Sequence, residues 1–401
     1  MSSPSPQALR ESDGRRRCQR YRPPQTFPQE LFDIIIDHID DFETLRATCL
    51  VSKNWVPRCR FRLYGRFRLW FAGESVFQSR TEYIHLVKDR IFHFSPLIIA
   101  YTHSLTLDLR WTTSCHIKEG DVWLDILSSL RLPQLRFLEI VRSSYDHSTD
   151  EKQQKILEGF IGFLRVNPHI ENLTLDGFSM SPRFMERILL CISRPESRIK
   201  VLSTHLTPYL SGSPATTPCG NYRALPLEKL YLRNETPMTV LKLSRTLGNF
   251  SLPKLTLLSA IGVSNLPCVM EMLEQGAQTL THLILDLRSF PRGFELEFPS
   301  IPNLTHLQLK IQNNDQLGFK ILQRIVQSQA KVQHVHITDE SWTNVDSHLV
   351  QFAKNMPSLK LITVSRDRTG STMGLTNSQI LEKLSGTAAF GILRFSPAPE
   401  W

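Results

Sequence analysis

The segments Leu280-Thr281-His282-Leu283-Ile284-Leu285-Asp286, Leu304-Thr305-His306-Leu307-Gln308-Leu309-Lys310 and Val332-Gln333-His334-Val335-His336-Ile337-Thr338 share one pattern, an aliphatic residue at the first, fourth and sixth positions. In an extended strand the fourth and sixth positions fall on one face and their neighbours on the other. Outward from these three, the pattern also begins at Thr102, Leu135, Ile170, Ile199, Leu227, Leu255 and Leu359, with weak members at Thr102 and Ile199. That makes ten occurrences, at intervals of 24 to 35 residues. Between them lie segments with helical apolar spacing: 122–130, 155–166, 240–247, 269–273, 317–326, 345–356 and 380–384, and one opened by Ser181-Pro182. Serine before proline is a helix start signal. A strand and a helix that recur at this period bury their apolar faces only by stacking on a neighbouring copy. The expected fold is α/β, a solenoid with a parallel concave sheet. Segments 143–151 and 211–221 are expected as surface loops, and 290–302, with three prolines, as extended chain.

The strand register also predicts the residues that line the concave sheet, because they alternate with the buried aliphatics. They include Asp176, His205, Lys229, Tyr231, Arg233, His282, Asp286, His306, Lys310, His334 and His336. His282, His306 and His334 fall at one position on three successive strands, where a ladder of imidazoles could respond to pH or hold a transition metal. Exposed polar residues on a protein-binding face are the simpler expectation. The mixture of signs, with Tyr231 among them, suits a protein better than a phosphate backbone.

The chain has 401 residues, 41% of them hydrophobic, and a net charge of +9. This composition excludes global disorder. The charge is segregated: +4 over 1–26, −6 over 27–45, +7 over 46–68 and +4 over the rest. A nucleic-acid-associated protein would use the basic tail and the 46–68 segment, but the near-neutral remainder is unlike a long nucleic-acid groove. No apolar run is long enough to span a membrane, and no secretory signal opens the chain, so a soluble cytoplasmic or nuclear protein is expected, with no membrane or nucleic-acid partner. The seven cysteines are scattered without a C-x-x-C pair, which predicts neither a disulfide framework nor a zinc site. No phosphate-binding loop, nucleophile elbow or H-E-x-x-H motif is present. No catalytic residues, metal or cofactor are expected.

Residues 1–25 read as a disordered basic tail, 26–68 as a helical module, 69–101 as a connection, 102–385 as the solenoid and 386–401 as a tail. In the module, Thr26 followed by Gln29 predicts a capped helix start, Leu31, Phe32, Ile34, Ile35, Ile36 and Ile39 give an apolar face too wide for one contact, and a second helix is expected over 43–51. A third is expected through Trp55, ended by Pro57. About 40 residues make a marginal fold alone, so the module is expected to need a partner.

The module resembles an F-box. Phe27, Pro28, Gln29, Glu30 and Leu31 stand where that family opens with Leu-Pro-x-Glu-Leu; Ile34, Ile35 and Ile39 match its first-helix apolar positions; Leu45, Leu50, Val51 and Trp55 match its later segment. It departs in Phe27, in 40–43 and in Ser52. The region 102–385 resembles the leucine-rich-repeat family, but Ser143, Phe178, Glu235, Arg288, Gln312, Glu340 and Asp367 replace that family's turn Asn or Cys, so irregular turns are expected. Together these resemblances imply a non-catalytic substrate receptor. In that role the helices dock a Skp-type adaptor of a cullin-RING ubiquitin ligase through Phe27, Pro28, Leu31, Ile34, Ile35, Ile39, Leu45, Leu50, Val51 and Trp55, and the repeats hold a protein substrate. The alternative is a repeat scaffold that works without an adaptor.

Overall fold

The structure is a computed structural model describing residues 28–70, 96–109, 130–142, 150–179, 182–207, 223–233, 250–262, 266–287, 298–311, 315–339, 345–366 and 376–395. The chain divides into two compact units, 1–63 and 64–401.

The first unit holds α1 (Gln29–Asp37), α2 (Phe42–Val51) and α3 (Val56–Tyr64). Helix α1 starts at Pro28 without a side-chain cap, and the Gln29 amide instead donates to Asp33 Oδ1 at 2.8 Å. Thr26, the expected cap, lies outside the described residues. Asp41 caps α2 by accepting from Thr44 N at 2.6 Å. Pro57 was expected to end a helix, yet it sits in the first turn of α3, where a missing N–H costs nothing because that donor has no intrahelical partner. The inner core is small: Ile36, Leu45 and Cys59 are buried, with Ile39, Cys49, Trp55 and Leu63 packed against them. Burial and the adjacent Cys49 thiol push the Cys59 thiol up to about 11.

The second unit is built on a sheet of twelve described strands, all parallel: β1 (Arg66–Trp70), β2 (Ser104–Leu109), β3 (Phe137–Arg142), β4 (Asn172–Ser179), β5 (Val201–Thr207), β7 (Lys229–Arg233), β9 (Leu257–Ile261), β10 (His282–Asp286), β11 (His306–Ile311), β12 (His334–Asp339), β13 (Leu361–Arg366) and β14 (Leu393–Phe395). The short strands β6 (Arg223–Ala224) and β8 (Phe250–Ser251) pair separately. All ten strands expected from the repeat are present, in register, so that Leu283 aligns with Leu307 and Leu307 with Val335. This is an irregular solenoid of the leucine-rich-repeat type. The sheet also extends past both expected ends. Arg66–Trp70, assigned from sequence to the helical module and the connection, is its first strand, and Leu393–Phe395 its last.

Helices α4 (Pro96–Tyr101), α5 (Asp150–Val166), α6 (Pro182–Ile192), α7 (Leu266–Gly276), α8 (Asp315–Gln327), α9 (Val345–Asn355), α10 (Asn377–Lys383) and α11 (Ser385–Ala388) complete the described elements. One continuous apolar core joins the inward strand positions to residues such as Phe163, Ile188, Leu273, Ile321 and Leu349 from the helices. Residues 122–129, 143–149, 211–221, 240–247 and 290–297 lie outside the described set.

The strand starts are tied together by side chains. Thr256 Oγ1 donates to Glu228 O (3.0 Å), Thr281 Oγ1 to Thr256 O (3.1 Å) and Thr305 Oγ1 to Thr281 O (3.0 Å). Ion pairs Arg136–Glu171 and Lys200–Glu228 continue the series toward the N-terminal end. Each threonine adds a side-chain donor to a carbonyl of the preceding coil that already accepts two backbone N–H groups. Of the substituted turn positions, Phe178 is described: β4 shifts register between Asp176 and Phe178, around Gly177 at φ 68°, a left-handed conformation that favours glycine. Asn167, buried after α5, donates to Leu130 O and Phe163 O (2.9 Å each) and accepts from Leu132 N (2.7 Å). At the far end, the Asp346 carboxylate of α9 accepts from Gly386 N, Thr387 N and Thr387 Oγ1 of α11, at 2.6 to 2.9 Å.

Candidate functional site

Two surfaces emerge, one on each unit. On the helical unit, α1 carries two apolar stripes. Phe32 and Ile36 turn inward, Phe32 against Trp55 with ring centroids 4.9 Å apart. Leu31, Ile34 and Ile35, at i, i+3 and i+4, form the opposite stripe. They are 46%, 54% and 59% exposed, and from α2 Phe42, Leu50 and Val51 are also exposed, Leu50 to 88%. Exposed aliphatics scattered singly are ordinary, whereas three on one stripe of a nine-residue helix are not.

The residues matched to the F-box therefore divide. Leu31, Ile34, Ile35, Leu50 and Val51 face outward with Pro28 beside them, while Leu45, Trp55 and partly buried Ile39 go to the unit's own core. Phe27 lies outside the described residues. A three-helix unit needs some inward apolar contact before it can present an outward one, and Leu45, Ile39 and Trp55 supply it.

Some of the segregated charges pair with one another within the unit. Arg58 of α3 binds Asp37 of α1 in a two-pronged ion pair, its Nε 2.7 Å from Oδ1 and an Nη on Oδ2. That guanidinium holds the Asp37 carboxyl below the usual carboxylate range. Arg62 donates to Ile39 O (3.1 Å) and pairs with Asp40 (3.2 Å). The acidic first helix and the basic third helix thus clasp each other. Their alternation in sequence reflects packing within the unit.

On the sheet, the face away from the apolar core presents the expected residues in three rows. His282, His306 and His334 align in one row across β10, β11 and β12, confirming their register. The rings of His282 and His306 stack at 4.2 Å, 6° from parallel, and His334 meets His306 edge-on at 4.6 Å. His282 Nδ1 lies 2.8 Å from Thr281 Oγ1 and His306 Nδ1 lies 2.9 Å from Thr305 Oγ1. The same hydroxyls lie 3.1 and 3.0 Å from the carbonyls of Thr256 and Thr281, so each threonine bridges a ring nitrogen and the preceding coil. Burial, aided by the neighbouring His282 and His334, pushes His306 down to about 4, so it stays neutral across the physiological range. Parallel rings set their nitrogens side by side, where they do not converge on one ion. No group of three His, Cys, Asp or Glu that could hold a metal occurs among the described residues.

The middle row contains Tyr231, Ser259, Ile284, Gln308 and His336. Sequence alternation places these, and Asp286 in the neighbouring row with Lys310, on an exposed face, yet His336 and Asp286 are each 2% exposed. His336 is packed into a hydroxyl cluster: its Nε2 lies 2.9 Å from Ser365 Oγ, which lies 2.9 Å from Thr338 Oγ1. Its Nδ1 is buried without a partner, and burial together with Lys310 pushes its pKa down to about 4. Next to the buried Asp286 in the chain, Leu287 N donates to Lys310 O (2.7 Å) and draws the end of β10 against β11. Both residues therefore belong to the fabric of the face and do not form an accessible contact surface. Ser365 escaped the sequence reading, although its row position beside Thr338 follows from the strand register.

The residues that remain reachable are the half-buried His282, His306 and His334, and His205, held to Asp176 at 2.7 Å, together with Lys229, Tyr231, Arg233 and Lys310. The Arg233 guanidinium stands 6.0 Å from the Tyr231 ring centroid, and burial raises the Tyr231 phenol above its usual range. Lys229 and Lys310 make no hydrogen bond or ion pair among the described residues. On the helical side, Phe319 and His348 stack at 3.6 Å within a shallow groove between α8 and α9 that the sequence did not announce.

No described helix is long and apolar enough to cross a membrane. No protein-family model matches the chain, and no curated protein does. Among solved structures, a crystal structure of the Rad7 and Elc1 complex in yeast matches at 15% identity with a TM-score of 0.32, covering 87% of this chain and 91% of that one.

Proposed function

We propose that this chain is a non-catalytic substrate receptor of a cullin-RING ubiquitin ligase, working in the cytoplasm or nucleus. In this reading the N-terminal helices dock a Skp-type adaptor and the solenoid holds a protein to be ubiquitinated. The observation that carries it is the outward stripe of Leu31, Ile34 and Ile35, joined by Leu50 and Val51, on a unit with three buried apolar side chains among its described residues. Those residues occupy the positions at which the sequence resembles an F-box. Covering each half-exposed aliphatic is worth on the order of 1 kcal/mol, so five of them suffice for a specific helical contact.

The test is co-purification with a Skp-type adaptor. Leu31→Asp combined with Ile35→Asp should cut adaptor binding at least tenfold while leaving helicity unchanged, because both side chains are exposed. Absence of wild-type binding, or full binding by the double variant, would sink the ligase reading in favour of a scaffold that works without an adaptor.

A further inference from the structure

We propose that the face of the sheet away from the apolar core, between β7 and β11, binds an acidic, extended segment of a protein partner, with Lys229, Arg233 and Lys310 as its carboxylate receptors. The proposal rests on the receptor reading only in taking the partner to be a protein.

The charge on this face is lopsided, and the imbalance has a structural cause. Toward the N-terminal end the described acids are engaged: Asp176 holds His205 and Glu139 accepts from Thr106 Oγ1 at 2.9 Å. From β7 to β13 the one described acid on the face is Asp286, which is buried and has interactions of its own. The cations are the reverse. Lys229 and Lys310 are half-exposed without hydrogen bond or ion pair among the described residues, and Arg233 is exposed with the Tyr231 ring as its described neighbour. Burial first, and then the nearby Lys229 and Lys310, lower the proton affinities of His282 and His336. The imidazoles beside these cations carry no negative charge in any state, so the buried Asp286, cross-strand from Lys310, is the one described carboxylate set against three cations.

Spacing gives the shape of the partner. Arg233 and Lys310 stand at the same strand position three strands apart, and Lys229 lies four residues before Arg233. Three strand spacings make about 14 Å, and four residues along a strand about 13 Å. An extended segment advances about 3.4 Å per residue, so carboxylates about four residues apart reach two of the three cations. Residues four apart in a strand point to the same side, so one face of the segment can carry both acids. Tyr231 lies between, an aromatic surface of the kind that anchors protein interfaces.

The experiment uses the full chain and a fluorescein-labelled decapeptide of alternating Glu and Ser, with the Gln-Ser decapeptide as neutral control. Fluorescence anisotropy should show the acidic peptide binding, weakening as salt rises. Lys229→Glu and Lys310→Glu should each weaken it about tenfold, whereas Arg187→Glu on α6, which lies off this face, should change it less than twofold. Equal binding of the neutral peptide, or a Kd within twofold for the double reversal, overturns the proposal. A single-stranded oligonucleotide that binds more tightly through the same lysines overturns the assignment to a protein partner. Because the assay contains no adaptor, and neither reversal touches the helical unit, failure here is distinguishable from failure of adaptor docking.

Discussion

Replacing His336 by Gln tests how the sheet's buried polar cluster responds to acid. The imidazole is 2% exposed, and its pKa falls from 6.5 to about 4, first through burial and then through Lys310. Above pH 6.5 it is neutral in both folded and unfolded chains and adds no slope to stability. Between pH 6.5 and about 4 the unfolded chain takes up a proton that the folded chain refuses, so stability is lost as pH falls. The loss levels off below about 4. A gap of roughly two and a half units corresponds to about 3 kcal/mol. His336→Gln keeps a polar group beside Ser365 but has no proton to gain. Urea unfolding of both proteins at several pH values from 7.5 to 4 should therefore show the wild type losing about 3 kcal/mol more than the variant. His282, His306 and the carboxylates titrate in both proteins and cancel in the difference. A wild-type-minus-variant difference that stays constant across this range would refute the argument, as would an NMR titration placing the His336 midpoint near 6.5.

Two further outcomes test the packing. Asn167→Ala leaves Leu132 N–H and Leu130 C=O buried without partners and should cost about 3 kcal/mol in urea unfolding; a loss under 1 kcal/mol would mean that water replaces the amide. Gly276→Ala would set a methyl 2.8 Å from Leu255 Cδ2 and 3.1 Å from its Cβ, so calorimetry should show about 1 to 3 kcal/mol of destabilisation, with an unchanged Tm arguing that Leu255 can move aside.

The central part of the fold was written in the sequence because aliphatic spacing sets strand register directly. Ten strands and the alignment of three histidines followed from it. The outer strands were hidden for a physical reason. Arg66, Phe67, Arg68 and Leu69 alternate, but across one short strand, and Leu393–Phe395 is shorter still, so neither provides a period to detect. Pro57 shows a different limit: proline marks a helix boundary, and the residues alone do not say which side the helix lies on. At the candidate sites, sequence could nominate the apolar residues of the helical unit but could not sort them, because Leu31 and Leu45 look alike until the helices pack. Alternation likewise placed His336 and Asp286 on the right face of the sheet without revealing that each would be enclosed there, since enclosure depends on neighbours 24 to 29 residues away.

A stack whose coils touch only their neighbours behaves as a zipper, and zippers open from their ends. In this molecule one end carries a latch. Asp346 holds three donors of α11, so the last coil cannot peel away without stripping a carboxylate of all three. Fraying from that end has to break a charge-assisted cluster before it exposes the aliphatic row behind it. Amide exchange in α11 and β14 should then quicken when Asp346 is replaced by Ala, since one side chain closes this end of the sheet.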